Sequence, residues 1–197
     1  MDNRYRLGPW IIDNWSCVSL PFAVLTLCSL PFFSTGNNVP LILLYTLLPV
    51  YMIHQYEEHA HGRFGEFFNS TMSKGHDILT KASAFWINIL EVWLLFLVSF
   101  YLAKYVALGI AFVPIYLTII NGLTHVIAGI ALRRYNPGLY TSLLLFFPWG
   151  FFLLVYFGGI TRFSLFFNGI GLLAAVIGHA IIVVYALERR RKLEPGP

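Results

Sequence analysis

Residues 39–61 read Val-Pro-Leu-Ile-Leu-Leu-Tyr-Thr-Leu-Leu-Pro-Val-Tyr-Met-Ile-His-Gln-Tyr-Glu-Glu-His-Ala-His, an apolar run that ends in five ionisable side chains. Taken to about residue 58 the run is long enough to cross a bilayer, which takes about 20 residues at helical rise. The polar end is anomalous in a chain that is 58% hydrophobic and 11% charged. A charged group in the membrane costs roughly 2.5–3.5 kcal/mol on insertion scales, and such groups mark function far more often than they occur idly.

Working outward, the same reading applies to the whole chain. Its mean hydropathy of +0.71 and aromatic fraction of 17% exclude an ordinary soluble domain. Six apolar stretches of membrane-spanning length follow one another at about 14–34, 39–58, 82–103, 106–132, 139–159 and 164–187. They leave no room for a water-soluble domain, so the expected fold is a single all-α bundle of six transmembrane helices. Gly36-Asn37-Asn38 and Gly158-Gly159 are expected to end the first and fifth spans, and Asn136-Pro137-Gly138 to open the fifth with Asn136 as its N-cap.

With six spans, Arg4, Arg6, Arg63, Lys74, Lys81, Arg133, Arg134, Arg189, Arg190, Arg191 and Lys192 share one side, and Lys104 and Arg162 take the other. That asymmetry predicts that both termini are cytoplasmic. It also accounts for a pI near 9.1 without a nucleic-acid partner. Asp13 and Asn14 break the start of the first run and no small-residue cleavage site follows, which argues against a cleaved signal peptide. Cys17 and Cys28 are about 16 Å apart along one helix and cannot bridge.

At 100° per residue, His54, Glu57, Glu58 and His61 form a stripe about 100° wide, while His59 points away and is expected to be solvated. Other spans offer matching groups: Asn88 and Glu91 on the third, Asn121 and His125 on the fourth, His179 on the sixth. Counted from the basic ends of their helices, Glu91, His125 and His179 lie about 12–15 Å deep on the same side as the stripe. One shared pocket opening to the cytoplasm is the economical arrangement.

Three chemistries suit imidazoles and carboxylates meeting there. The first is a divalent metal, zinc before iron, held by His54, Glu58 and His125 with His179 as a fourth candidate. Glu57 is then the expected general base for a metal-bound water, and Asn121 orients His125 or polarises a substrate. The second is metal-free acid–base work by the Glu57–Glu58 pair, such as lipid isomerisation or cyclisation. The third is proton or ion coupling in a transporter, or plain ligand binding. The substrate expected for an enzyme is a lipid or other hydrophobic small molecule from the surrounding bilayer. Arg133 and Arg134 would hold an anionic headgroup, or else only obey the positive-inside rule, with Asn136 and Glu91 as further substrate contacts. An interhelical hydrogen bond that merely holds the bundle is the plain alternative for Asn121 and His125. Phe64, Phe67, Phe68 and Met72 are spaced as one face of an amphipathic segment that either lids the pocket or anchors the chain at the interface.

His54-Gln55-Tyr56-Glu57-Glu58 is a His-x-x-Glu-Glu motif, and Asn121 to His125 is followed by Arg134-Tyr135-Asn136-Pro137-Gly138 and Thr141. In both blocks the chain resembles the HXXEE family of small bacterial membrane proteins. The resemblance implies an integral protein of the bacterial inner membrane and supplies candidate residues, without an activity. A weaker similarity is to CAAX-type intramembrane glutamyl proteases, which pair Glu-Glu-x-x-x-Arg with later histidines. Here Arg63 stands one residue too far from Glu57-Glu58, and Asn121–His125 reverses the order of that family's second motif.

Overall fold

The computed structural model describes residues 7–33, 38–73 and 76–193. Among these the chain is helical throughout, without strands, and six helices are long and apolar enough to cross a membrane. Arg4, Arg6 and Lys74 of the charge count and the Gly36-Asn37 turn lie outside the described residues.

Helix α1 is Leu7–Cys28, continued by a short turn at Leu30–Phe33. Helix α2, Val39–His59, has Pro40 near its start, where a missing N–H is harmless, and runs on through Pro49. A tight turn at Ala60–Gly62 leads into α3, Arg63–Met72. Then come α4 (Lys81–Tyr105), α5 (Phe112–Leu132), α6 (Leu139–Ile160) and α7 (Ser164–Leu193). Two of these contain a widened π-type turn, Asn88–Leu94 in α4 and Ser142–Phe146 in α6.

Close approach of small residues joins the helices, as van der Waals packing between apolar surfaces demands. A Cβ on Gly171 of α7 would stand 2.6 Å from the carbonyl oxygen of Phe112 at the start of α5, and one on Gly150 of α6 2.8 Å from Ile119 of α5. Leu47 and Tyr51 of α2, Ile115 of α5 and Phe146, Leu153 and Phe157 of α6 fill the core between them. The outer surface is apolar too, with Leu144, Val155 and Leu165 fully presented, the kind of surface a bilayer covers.

Three local expectations are corrected. Gly158-Gly159 does not close the fifth span, because α6 continues through both to Ile160. Asn136 is not its N-cap: the helix starts at Leu139 behind Gly138, which takes φ 97, and Asn136 is buried. His61 leaves the stripe on α2. It adopts φ 61 and Gly62 φ 80, and two successive left-handed residues end the helix and turn His61 outward.

The loop after α3 is built around Asn69. Its Oδ1 accepts the backbone N–H groups of Ile78 and Leu79, and its Nδ2 donates to Asp77 Oδ1 and the Leu79 carbonyl. Asn69 is therefore engaged as a loop staple.

Candidate metal centre

Glu58 is the hub. On the last turn of α2, four residues after His54, its carboxylate meets His54 from its own helix and His125 from α5. Glu58 Oε2 is 3.4 Å from His54 Nε2, and Glu58 Oε1 is 3.4 Å from His125 Nε2. All three side chains are buried, and their ligand atoms fall within 4.8 Å of one another. Among the described residues this is the one group of three or more such side chains able to hold a metal ion.

The hydrogen bonds around the two imidazoles fix which nitrogen of each ring is turned to Glu58. Asn136 Nδ2 donates to the His125 backbone carbonyl at 2.9 Å, so its Oδ1 is the end facing His125 Nδ1 at 2.7 Å. An amide oxygen only accepts, hence Nδ1 carries a hydrogen, and in the neutral ring Nε2 presents a lone pair. The same logic fixes His54. Thr141 gives its single hydroxyl proton to Glu57 Oε2, a carboxylate acceptor, and so accepts from His54 Nδ1 at 2.8 Å. His54 Nε2 is left buried with no hydrogen-bond partner.

In their neutral forms the two imidazoles thus turn lone pairs to one carboxylate, an arrangement relieved either by a cation between them or by a proton on each ring. Direct charge-assisted hydrogen bonds run about 2.7–2.9 Å, well short of the 3.4 Å separations seen. The two separations involve different oxygens of Glu58, and one ligand atom from each of the three residues lies within 4.8 Å of the others, a donor set that could hold a metal ion.

Gly138 makes the approach possible. A Cβ there would stand 2.6 Å from His125 Cε1 and 2.9 Å from His54 Cε1, and φ 97 disfavours any side chain. Glu57, by contrast, is turned to α6. Its Oε1 accepts from Tyr135 Oη at 2.9 Å and Tyr140 N at 3.1 Å, and its Oε2 from Thr141 N at 2.7 Å as well as the Thr141 hydroxyl. It caps α6 from outside that helix, with every donor aimed at a negative charge on the helix N-terminus. Tyr135 lies in the connection between α5 and α6, where burial and then its bond to Glu57 push the phenol up to about 12.

Of the remaining expected residues, all but the two arginines fall around a cavity of about 300 Å³ beside the cluster. Asn121, Glu91 and His179 line it, as do Glu58 and His125. His179 Nδ1–H is given to the Ala175 carbonyl at 2.9 Å, which leaves its Nε2 an acceptor; it is not among the gathered ligands. Asn136 also reaches the wall, held by both ends to His125. Phe64, Phe67, Phe68 and Met72 of α3 form one side, so the apolar face of the amphipathic segment covers this cavity. Arg133 is exposed at the left-handed end of α5. Arg134 donates to Thr71 Oγ1 at 2.7 Å and stacks on Phe67 at 5.0 Å, tying α3 to the α5–α6 turn. Neither arginine lines the cavity.

His59 is the main surprise. Its Nε2 lies 3.1 Å from Glu58 Oε2 and 3.2 Å from Asn88 Nδ2, with the side chain almost buried. Asn88 belongs to a relay in which Trp93 donates to Gln55 and Gln55 to Asn88. Helical angle alone points His59 outward; the turn beginning at Ala60 and the ring of Trp15 from α1, 5.1 Å away, hold it inside. His59, Gln55, Thr141 and Gly138 were not legible as site residues. Of these, Gln55, Gly138 and Thr141 lay inside the two motif blocks already singled out.

Residues 45–153, more than half of the chain, match the model of a family described as proteins of unknown function with the HXXEE motif. The chain belongs to the HXXEE family. No curated protein and no solved structure matched it. The HXXEE match runs from α2 to α6 and takes in every residue of the centre: His54 and Glu58 of the motif, its Glu57, and His125, Asn136, Gly138 and Thr141. The second Glu of the HXXEE motif faces the imidazoles, while the first caps α6.

Proposed function

We propose that the chain is a membrane-embedded, zinc-dependent enzyme that acts on a hydrophobic small molecule held in the cavity beside Glu58. His54, Glu58 and His125 hold the ion, which supplies Lewis-acid polarisation of a substrate oxygen. The observation that carries this reading is the pair of Nε2 atoms, each ring held by a hydrogen bond on its far side, converging on one carboxylate. Outer partners of this kind, setting tautomer and orientation, are what metal-binding histidines have.

The other residues take supporting parts. Asn136 and Thr141 orient the two rings, and Glu57 orients Thr141 while capping α6. The base role expected for Glu57 passes to His179, whose Nε2 is an acceptor on the cavity wall. Asn121 remains a group for polarising or placing the substrate. A volume of about 300 Å³ is at the small end for ligand sites, which span roughly 300–1,000 Å³, and favours a compact or single-chain molecule over a whole diacyl lipid. The two exposed or stacked arginines give no support to an anionic headgroup in the cavity. The charge asymmetry of the connections supports a site on the cytoplasmic side of a bacterial inner membrane, with both termini there.

Elemental analysis of the purified protein is the test. About one zinc per chain is expected, lost in His125→Ala and in Glu58→Gln. Metal below about a tenth per chain in the wild type would end this reading and leave protonated imidazoles around Glu58, the centre of a metal-free acid–base catalyst.

A further inference from the structure

The cavity has a second polar end, apart from the metal ligands. Glu91 on the widened turn of α4 and Asn121 on α5 both line it, and Glu91 Oε1 and Asn121 Oδ1 are buried without a hydrogen-bond partner. His179 adds the lone pair of Nε2. Acceptor-bearing residues from three helices therefore line one space. Glu91 is held close by its surroundings, since a Cβ on Gly178 of α7 would stand within van der Waals overlap of Glu91 Oε1.

The walls carry no compensating cation. Among the described residues no lysine or arginine lines the cavity, and the aromatic face of α3 closes one side. A carboxylate oxygen buried without a partner is costly, and the cost is relieved by a donor, most of all a charged one. An anionic head placed at this end would meet the carboxylate of Glu91 with no lysine or arginine to offset it.

From this we infer that the cavity binds a hydrophobic amine, its ammonium group on Glu91 and Asn121 and its apolar part against Phe64, Phe67 and Phe68. The inference deepens the proposed function by naming the substrate class, and it rests on the same cavity while standing on atoms outside the metal set. An amine so placed satisfies Glu91 and Asn121 together, and the closed aromatic side excludes water that would compete for them.

The test uses the full chain in detergent and three matched probes: octylamine, 1-octanol and octanoate. Native mass spectrometry or calorimetry gives their affinities at neutral pH, and zinc is measured on the same samples. Octylamine is expected to bind roughly tenfold or more tighter than octanol, with octanoate weakest, since one charge-assisted hydrogen bond separates the first two. Glu91→Gln should bring octylamine down to the level of octanol and leave the zinc content as in wild type. Asn121→Asp, which adds a charge to the same end, should raise the preference for the amine. Equal binding of amine and alcohol, a preference that survives Glu91→Gln, or a preference for octanoate would each overturn the inference. A zinc-free wild type that still prefers the amine would refute the metal reading alone and keep the amine site.

Discussion

Gly138→Ala puts the packing of the centre to a sharp trial. The new methyl would lie 2.6 Å from His125 Cε1, 0.8 Å inside the 3.4 Å at which ordinary contact begins, and 2.9 Å from His54 Cε1. Neither ring is free to yield. His125 is bonded to Asn136 through both its ring and its carbonyl, and His54 is held through Thr141 to Glu57. Alanine at φ 97 also carries a backbone penalty of about 1–2 kcal/mol, and overpacking a fixed site adds about 1–3, so the variant should be less stable by about 2–5 kcal/mol. Displaced rings should lower metal affinity by about 10–100-fold, the usual effect of disturbing the groups behind metal ligands. Gly158→Ala is the control, for its Cβ would meet nothing within 4 Å on an unbroken helix, and replacing a helical glycine is neutral or mildly stabilising. Thermal unfolding in detergent and zinc content, measured on both variants, give the answer. If Gly138→Ala melts with the wild type and keeps its ion, the close approach of the two imidazoles is wrong.

Asn136→Ala should release the tautomer of His125 and weaken metal binding by about 10–100-fold, read by competition with a chelator. Thr141→Val removes at once the acceptor for His54 and a donor to Glu57, so zinc retention and the start of α6 should both suffer; an intact zinc content would refute the relay. Arg134→Ala should free α3, and hydrogen exchange over 63–72 should quicken by several-fold for the roughly 1 kcal/mol of one hydrogen bond, whereas unchanged exchange would show that the aromatic face alone holds the helix. Tyr135 sets a pH dependence. Its folded value of about 12 exceeds the ordinary 10.0, so the stability it contributes is complete below pH 10 and is lost as pH rises toward 12. Tyr135→Phe should flatten that decline, and a decline of the same size in the variant would assign it to another group.

The six helices were open to reading because each apolar run is as long as a bilayer is thick. Within them, His54 and Glu58 could be paired from their spacing alone, and His125 could be added because its depth from Arg133 matches the end of α2. What escaped was decided by features without a periodic signature. An ideal angular wheel assigns a direction to Cα–Cβ, and so it sent His59 outward; the helix ends at that very residue, and Trp15 packs on the ring. His61 looked like part of the stripe because nothing in Ala60-His61-Gly62 announces two left-handed residues ahead of time. Asn-Pro-Gly at 136–138 carries a strong turn signal, and that signal concealed a second use: Asn136 serves His125, and Gly138 makes room for it. Both Glu57 and Glu58 were drawn to the centre by charge, yet only a structure could tell that α6 begins beside Glu57 and takes it as a cap.

The widened turn in α4 has a consequence of its own. Asn88 reaches Gln55 on α2, while Glu91, three positions later, abuts Gly178 on α7. In a regular helix two residues so spaced lean the same way and would compete for one neighbour; the additional residue taken into this turn spreads them to two. Sequence length inside that segment is thus part of the wiring. Deleting a single residue between 88 and 94 would leave a sound rod of the same greasiness, but one of the two polar arms would lose its address.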